Sequence, residues 1–144
     1  MKIPLPSETI FHTIESTIKA YRKFAQNNIS KEIKNITLDQ SLTLIYLVEF
    51  PDLTQNELAE LLFKDNASLT RIINTMVKNG FLERSINDQD RRRYKLEITN
   101  KGEKVLKTLP NTIINNRSTS LLGITETELN QLNNILNKIK INCQ

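Results

Sequence analysis

The residues with the most evident chemistry lie between Lys64 and Lys95. Along Asn66, Ala67, Ser68, Thr70, Arg71, Asn74, Thr75 and Lys78 run side chains that are small or able to hydrogen-bond, spaced to share the outward face of one helix. That set suits the edges of base pairs. Asn can read adenine, Arg can make a bidentate contact to guanine, and Ala or a Thr methyl can touch the thymine methyl. A few residues on, Arg91, Arg92 and Arg93 stand in sequence at the end of a polar stretch, Asn87 to Arg92, that holds no hydrophobic residue. A guanidinium at such a loop tip can enter a narrow minor groove, where the negative potential is enhanced. Asp88 and Asp90 would repel phosphate, so both are expected to structure the loop and orient an arginine.

Charge placement supports this chemistry. Between Lys64 and Lys95 there are eight basic and four acidic residues, which accounts for the whole net charge of +4; the rest of the chain is neutral. A neutral body with one basic segment suits a nucleic-acid reader, because phosphate contacts there release counterions. Solvated faces of a surface helix and a surface loop would carry the same residue types, so the arrangement of the elements has to decide.

Those elements can be placed from local signals. Thr54 and Glu57 form a capping box that opens a short helix through Leu58, Ala59, Leu61 and Leu62, which breaks at Phe63 and Lys64. Asp65 or Asn66 caps the next helix, with Leu69, Ile72, Ile73, Met76 and Val77 on its apolar face and Gly80 closing it. Two short helices joined this way form a helix-turn-helix. Downstream the period changes to two, which predicts strands over 81–86 and 93–98 and makes the loop between them a wing.

Around this lobe, about residues 37–99, lie longer helices. Ile10, Phe11, Ile14, Ile18, Tyr21, Phe24 and Ala25 predict a helix over 7–28. A second, from Thr37 to Glu49, points Leu38, Leu42, Ile45, Tyr46 and Val48 inward. Thr99 caps a helix striped by Val105, Leu106, Leu109, Ile113 and Ile114, which Pro110 is expected to kink or interrupt. Gly123 marks a turn, and a capping box at Thr125 and Glu128 opens a last helix expected to bury Leu129, Leu132, Ile135, Leu136 and Ile139. The fold class is therefore mainly α with a small β-hairpin wing, in one domain of 144 residues. The first and last helices, about 7–28 and 100–142, carry more apolar surface than one lobe needs, and pairing of two copies would bury it.

At these residues the sequence resembles a known family. The runs Leu58 to Arg71, Met76 to Arg84, Asp90 to Arg92, Leu96 to Gly102 and Leu121 to Leu129 are similar, in order, to those of MarR-type winged helix-turn-helix regulators. The resemblance spans about residues 38–139. It implies a homodimer on a pseudo-palindromic operator in double-stranded DNA, acting as a transcriptional regulator and as a repressor. By position Ser68, Thr70 and Arg71 match the family's recognition helix, Arg92 its minor-groove arginine and Asp90 the wing's structural acid. Phe63 and Lys64 depart from it, standing where glycine and an apolar residue are common; Asn66 and Ala67 also differ from the usual choices. The family also senses small aromatic or lipophilic effectors in a crevice beside the dimer helices, for which Phe11, His12, Tyr21 and Tyr46 are the candidates, although aromatics at helical spacing are more often core.

Other functions fit less well. No nucleophile, base and orienting acid stand at a recognisable spacing, which argues against an enzyme. One cysteine, Cys143, and one histidine predict neither a disulfide framework nor a metal or other cofactor site. Neither a membrane span nor an apolar leader is evident, so the expected location is the cytoplasm and no membrane partner is expected. Two alternatives stay open at this point: a winged helix that grips an acidic protein partner, and a nonspecific, nucleoid-type DNA binder.

Overall fold

The computed structural model describes residues 1–144 as six helices and one hairpin. A short 3-10 turn, Pro6–Glu8, precedes α1, which runs Ile10–Glu32. The helix starts later than Ser7 because Thr9 is its N-cap, accepting from the His12 N–H. It also extends past Asn28, since Ile29 is fully buried in the seam with α5.

Helix α2, Leu38–Glu49, contacts α1, α4, α5 and β2 and so lies at the centre of the molecule. A single-stripe reading fails there. Leu44 and Leu47 are inside, Leu42, Ile45 and Tyr46 are half-buried, and Val48 is 54% exposed. Ser41 and Thr43 are buried too, because their hydroxyls donate back to the Thr37 and Asp39 carbonyls and leave no polar group unpaired.

The helix-turn-helix consists of α3, Gln55–Leu61, and α4, Asn66–Lys78. Thr54 and Glu57 cap α3 reciprocally as the sequence predicts. Between the helices the Lys64 N–H bonds the Ala59 carbonyl at 2.9 Å, a Schellman closure whose left-handed residue is Phe63, at φ +55°. Its ring is 95% exposed, so nothing in the chain offsets the backbone cost. Phe63→Gly is therefore expected to stabilise the fold by up to about 1 kcal/mol, measured by urea unfolding. A loss of stability would show that the ring has a partner in solution.

Gly80, at φ +80°, closes α4, with the Phe81 N–H bonded to the Met76 carbonyl. The hairpin follows as β1, Leu82–Ile86, paired antiparallel with β2, Tyr94–Ile98, in the register Leu82 to Ile98 and Ile86 to Tyr94. Each strand is one residue shorter than the pattern predicts. Phe81 is used in the helix closure, and the Arg93 N–H is used in the wing turn, bonding the Asp90 carbonyl.

Helix α5, Asn100–Ser120, runs unbroken through Pro110, contrary to the expected interruption. Val105, Leu109 and Ile113 are buried on both sides of the proline, and the packing of α5 on α1 outweighs one lost backbone bond. Helix α6, Glu126–Asn142, buries no residue. Leu132 and Ile135 are more than half exposed and Leu129, Leu136 and Ile139 only half-buried, because α6 makes no extensive contact with another element of the chain. The first turns of α1 share this state, with Ile10, Phe11 and Ile18 exposed.

Candidate nucleic-acid interface

Asp65 caps α4, accepting the Ser68 N–H at 2.6 Å, and that bond holds the carboxyl below its ordinary range. The outward face begins immediately after it. Asn66, Ala67, Arg71, Asn74, Thr75 and Lys78 are exposed, and Ser68 and Thr70 are partly so. Several of these side chains are already engaged. Arg71 donates to the Ser68 hydroxyl at 3.1 Å, Thr75 donates to the Arg71 carbonyl, and Gln55 of α3 donates to Thr70 at 2.8 Å. From β1, Arg84 donates to the Asn74 side-chain carbonyl.

At the wing, Asp90 accepts the Arg92 N–H at 3.0 Å and lies 3.6 Å from the Arg93 guanidinium. Asp88, expected to share that structural work, has no hydrogen bond or ion pair. Its place is taken by Asn87, whose side-chain carbonyl accepts from the Gln89 and Asp90 N–H groups, the geometry of an Asx turn. Arg91 and Arg92 are exposed and meet no carboxylate.

Two hydrogen bonds and one longer-range charge bring the wing and α4 to one side of the lobe. Arg84 ties β1 to Asn74, Gln55 ties the head of α3 to Thr70, and Glu57, two residues further along α3, feels the charge of Arg93. The Glu57 carboxyl is held low first by the Thr54 N–H and hydroxyl, with Arg93 adding to the effect. The outward residues of α4 and the wing arginines are exposed, Ser68 and Thr70 partly so.

The lobe is braced from behind by residues that periodicity does not single out. Lys101 at the head of α5 donates to the Asn79 carbonyl at 2.7 Å and lies 4.6 Å from the Phe81 ring centroid, closing the C-terminal end of α4. Asp39 of α2 accepts from Arg22 of α1 and pairs with Lys64 at 3.1 Å, joining the long helix to the turn before α4. Burial raises the Asp39 carboxyl, but bonds and charges from both cations outweigh it and hold the group below its ordinary 3.8. A carboxyl lowered on folding contributes stability above that unfolded value, and the contribution is lost as pH falls through the folded one. Asp39→Asn should thus be less stable than the native chain at pH 7, with the gap narrowing as pH falls below 3.8 in urea titrations. An equal gap above and below that value would refute the charge pairing.

The four effector candidates differ in burial. Tyr21 and Tyr46 pack against the core, whereas Phe11 and His12 lie on the exposed first turns of α1. Two surface grooves are lined by other residues. One, of about 670 Å³, lies by Gly80, Arg84 and Lys101; the other, of about 510 Å³, is bordered by Asn28, Lys107 and Asn116. Cys143 is exposed at the end of α6.

A helix-turn-helix braced in this way, with a hairpin wing set beside its second helix, defines a winged helix-turn-helix protein. Residues 34–93 match the model of the MarR family. The chain is 27% identical over 118 residues to YybA of Bacillus subtilis, an uncharacterised HTH-type transcriptional regulator, covering 82% of this chain and 79% of that protein. A mutant MarR from E. coli complexed with operator DNA superposes with a TM-score of 0.83 at 22% identity, over 95% of this chain and 99% of that one. BpsR of Bordetella bronchiseptica, described for the regulation of its DNA binding by 6-hydroxynicotinic acid, gives 0.83 at 16% identity, over 96% and 98%. Residues 34–93 of this chain are thus similar to the MarR family, and the full fold is the one its structural neighbours share.

Proposed function

We propose that this chain is a sequence-specific, double-stranded DNA-binding transcriptional regulator that works in the cytoplasm as a homodimer on a pseudo-palindromic operator, as a repressor. The observation that carries the reading is the common, uncovered side formed by the outer face of α4 and the arginine wing, where the net charge of the chain is concentrated. In this reading α4 enters the major groove with Asn66, Ala67, Ser68, Thr70, Arg71, Asn74 and Thr75. Lys78, Arg91 and Arg93 contribute charge toward phosphate, and Arg92 enters the minor groove.

Dimerisation rests on the apolar residues that one copy leaves uncovered, Ile10, Phe11 and Ile18 on α1 with Leu132 and Ile135 on α6. These, with α5, form the dimerisation helices, and two-fold pairing sets the recognition helices about 34 to 36 Å apart, one turn of DNA. The 6-hydroxynicotinic acid response of BpsR supports release of DNA by a small aromatic effector in this chain as well.

The test is a gel-shift titration of the purified protein against fragments of its native genome, with competitor DNA present. A few fragments should be retained, with affinity falling about a thousandfold or more between 50 and 200 mM salt. Equal retention of every fragment would make the protein a nonspecific binder. No retention at low salt would direct attention to an acidic protein partner instead.

A further inference from the structure

Two side chains outside the recognition helix decide which atoms that helix offers. Thr70 and Asn74 stand one turn apart on its outward face. A hydroxyl has one proton and two lone pairs, and the protein uses much of this capacity at Thr70. Its hydroxyl accepts from the Gln55 amide at 2.8 Å and donates its proton to the Asn66 carbonyl, also at 2.8 Å. The group of Thr70 left without a partner is its methyl. Asn74 is restricted in another way, because one of the two lone pairs of its side-chain oxygen accepts an Arg84 N–H. Turning the amide over would set two donors against each other, so Arg84 also fixes the amide's orientation.

An asparagine that reads adenine uses both ends of its amide, accepting from N6 and donating to N7. With a guanidinium seated on the oxygen, the wholly free end of the amide is its N–H groups, which suit acceptors: O6 and N7 of guanine, or O4 of thymine. We propose that Arg84 and Gln55 are specificity-determining positioning residues. Arg84 biases Asn74 toward donating, and so toward guanine or thymine, and Gln55 engages the Thr70 hydroxyl so that its methyl is what meets thymine. This rests on the DNA-binding function proposed above.

The experiment is selection of bound sites from randomised duplexes by the full-length protein and its variants, scored as base ratios at each position. Within one protein such ratios do not depend on the fraction folded or on overall affinity, so a merely structural loss leaves them unchanged. In the native protein the position whose preference disappears in Asn74→Ala should hold guanine or thymine. In Arg84→Met that position should move toward adenine by about tenfold, the discrimination of a good bidentate pair. At the position read by Thr70, Thr70→Val should retain the thymine preference, whereas Thr70→Ala and Gln55→Leu should weaken it.

The assignment of Arg84 is overturned if the native protein already selects adenine there, if Asn74→Ala changes no position, or if Arg84→Met keeps the native ratios while Asn74→Ala does not. The assignment of Gln55 is overturned if Gln55→Leu keeps the thymine preference that Thr70→Ala loses. A native protein that selects no site overturns the DNA-reading function itself, an outcome distinct from these.

Discussion

Arg92→Ala is expected to weaken binding to every duplex by about ten- to a hundredfold, the equivalent of about 1 to 3 kcal/mol. The expectation follows from how the wing tip is held. Asp90 fixes the backbone at Arg92 and pairs with the side chain of Arg93, leaving the Arg92 guanidinium projecting with its charge uncompensated. The loss should be nearly the same on unrelated sequences, and the slope of affinity against salt should fall by about one. Arg93→Ala should cost less, because Asp90 already offsets that charge. Fluorescence anisotropy on an operator and an unrelated duplex, each at several salt concentrations, reads both quantities. An unchanged affinity would remove the wing from the interface, and a loss confined to one sequence would make Arg92 a base reader rather than a groove anchor.

Gly102→Ala should be the most destabilising single-methyl change at the foot of α5. Intrinsic helix propensity alone predicts the opposite, a gain of about 1 kcal/mol. The added methyl would lie 2.5 Å from the Phe81 carbonyl oxygen and 2.7 Å from an Ile98 methyl. That carbonyl cannot retreat freely, since it accepts the Thr99 N–H, and Thr99 is itself the cap of α5 and a donor to the Gly80 carbonyl. A cost of about 3 kcal/mol is expected, lowering the melting temperature by about 6 to 12 °C. A variant that melts at or above the native temperature would show that the hairpin and α5 can separate without loss.

What the sequence discloses about this molecule is what its short-range chemistry encodes. The capping boxes at Thr54 and Thr125, the αL residue Gly80 and the alternation in β2 each depend on atoms a few residues apart, and each is present where the pattern places it. The outward face of α4 is legible for the same reason. Contacts between elements are not, because they depend on how helices settle against one another. Nothing local distinguishes Arg84 from a solvated strand residue until β1 is laid beside Asn74, and nothing local indicates that Asn87 rather than Asp88 will organise the wing. Pro110 shows the opposite limit, where a strong local signal yields to packing on both sides. The helix α2, buried on nearly every side, defeats periodicity because it has no wet face to define a stripe.

Helix α6 has a wider consequence. It is seventeen residues long and buries none of them in its own chain, while isolated helices only slightly shorter are marginal in water. Under the pairing proposed here its order is borrowed from a second molecule, and mass action ties that order to abundance. If that pairing holds, the melting midpoint should climb as the solution is concentrated, and the resistance of the C-terminal segment to protease should rise with it.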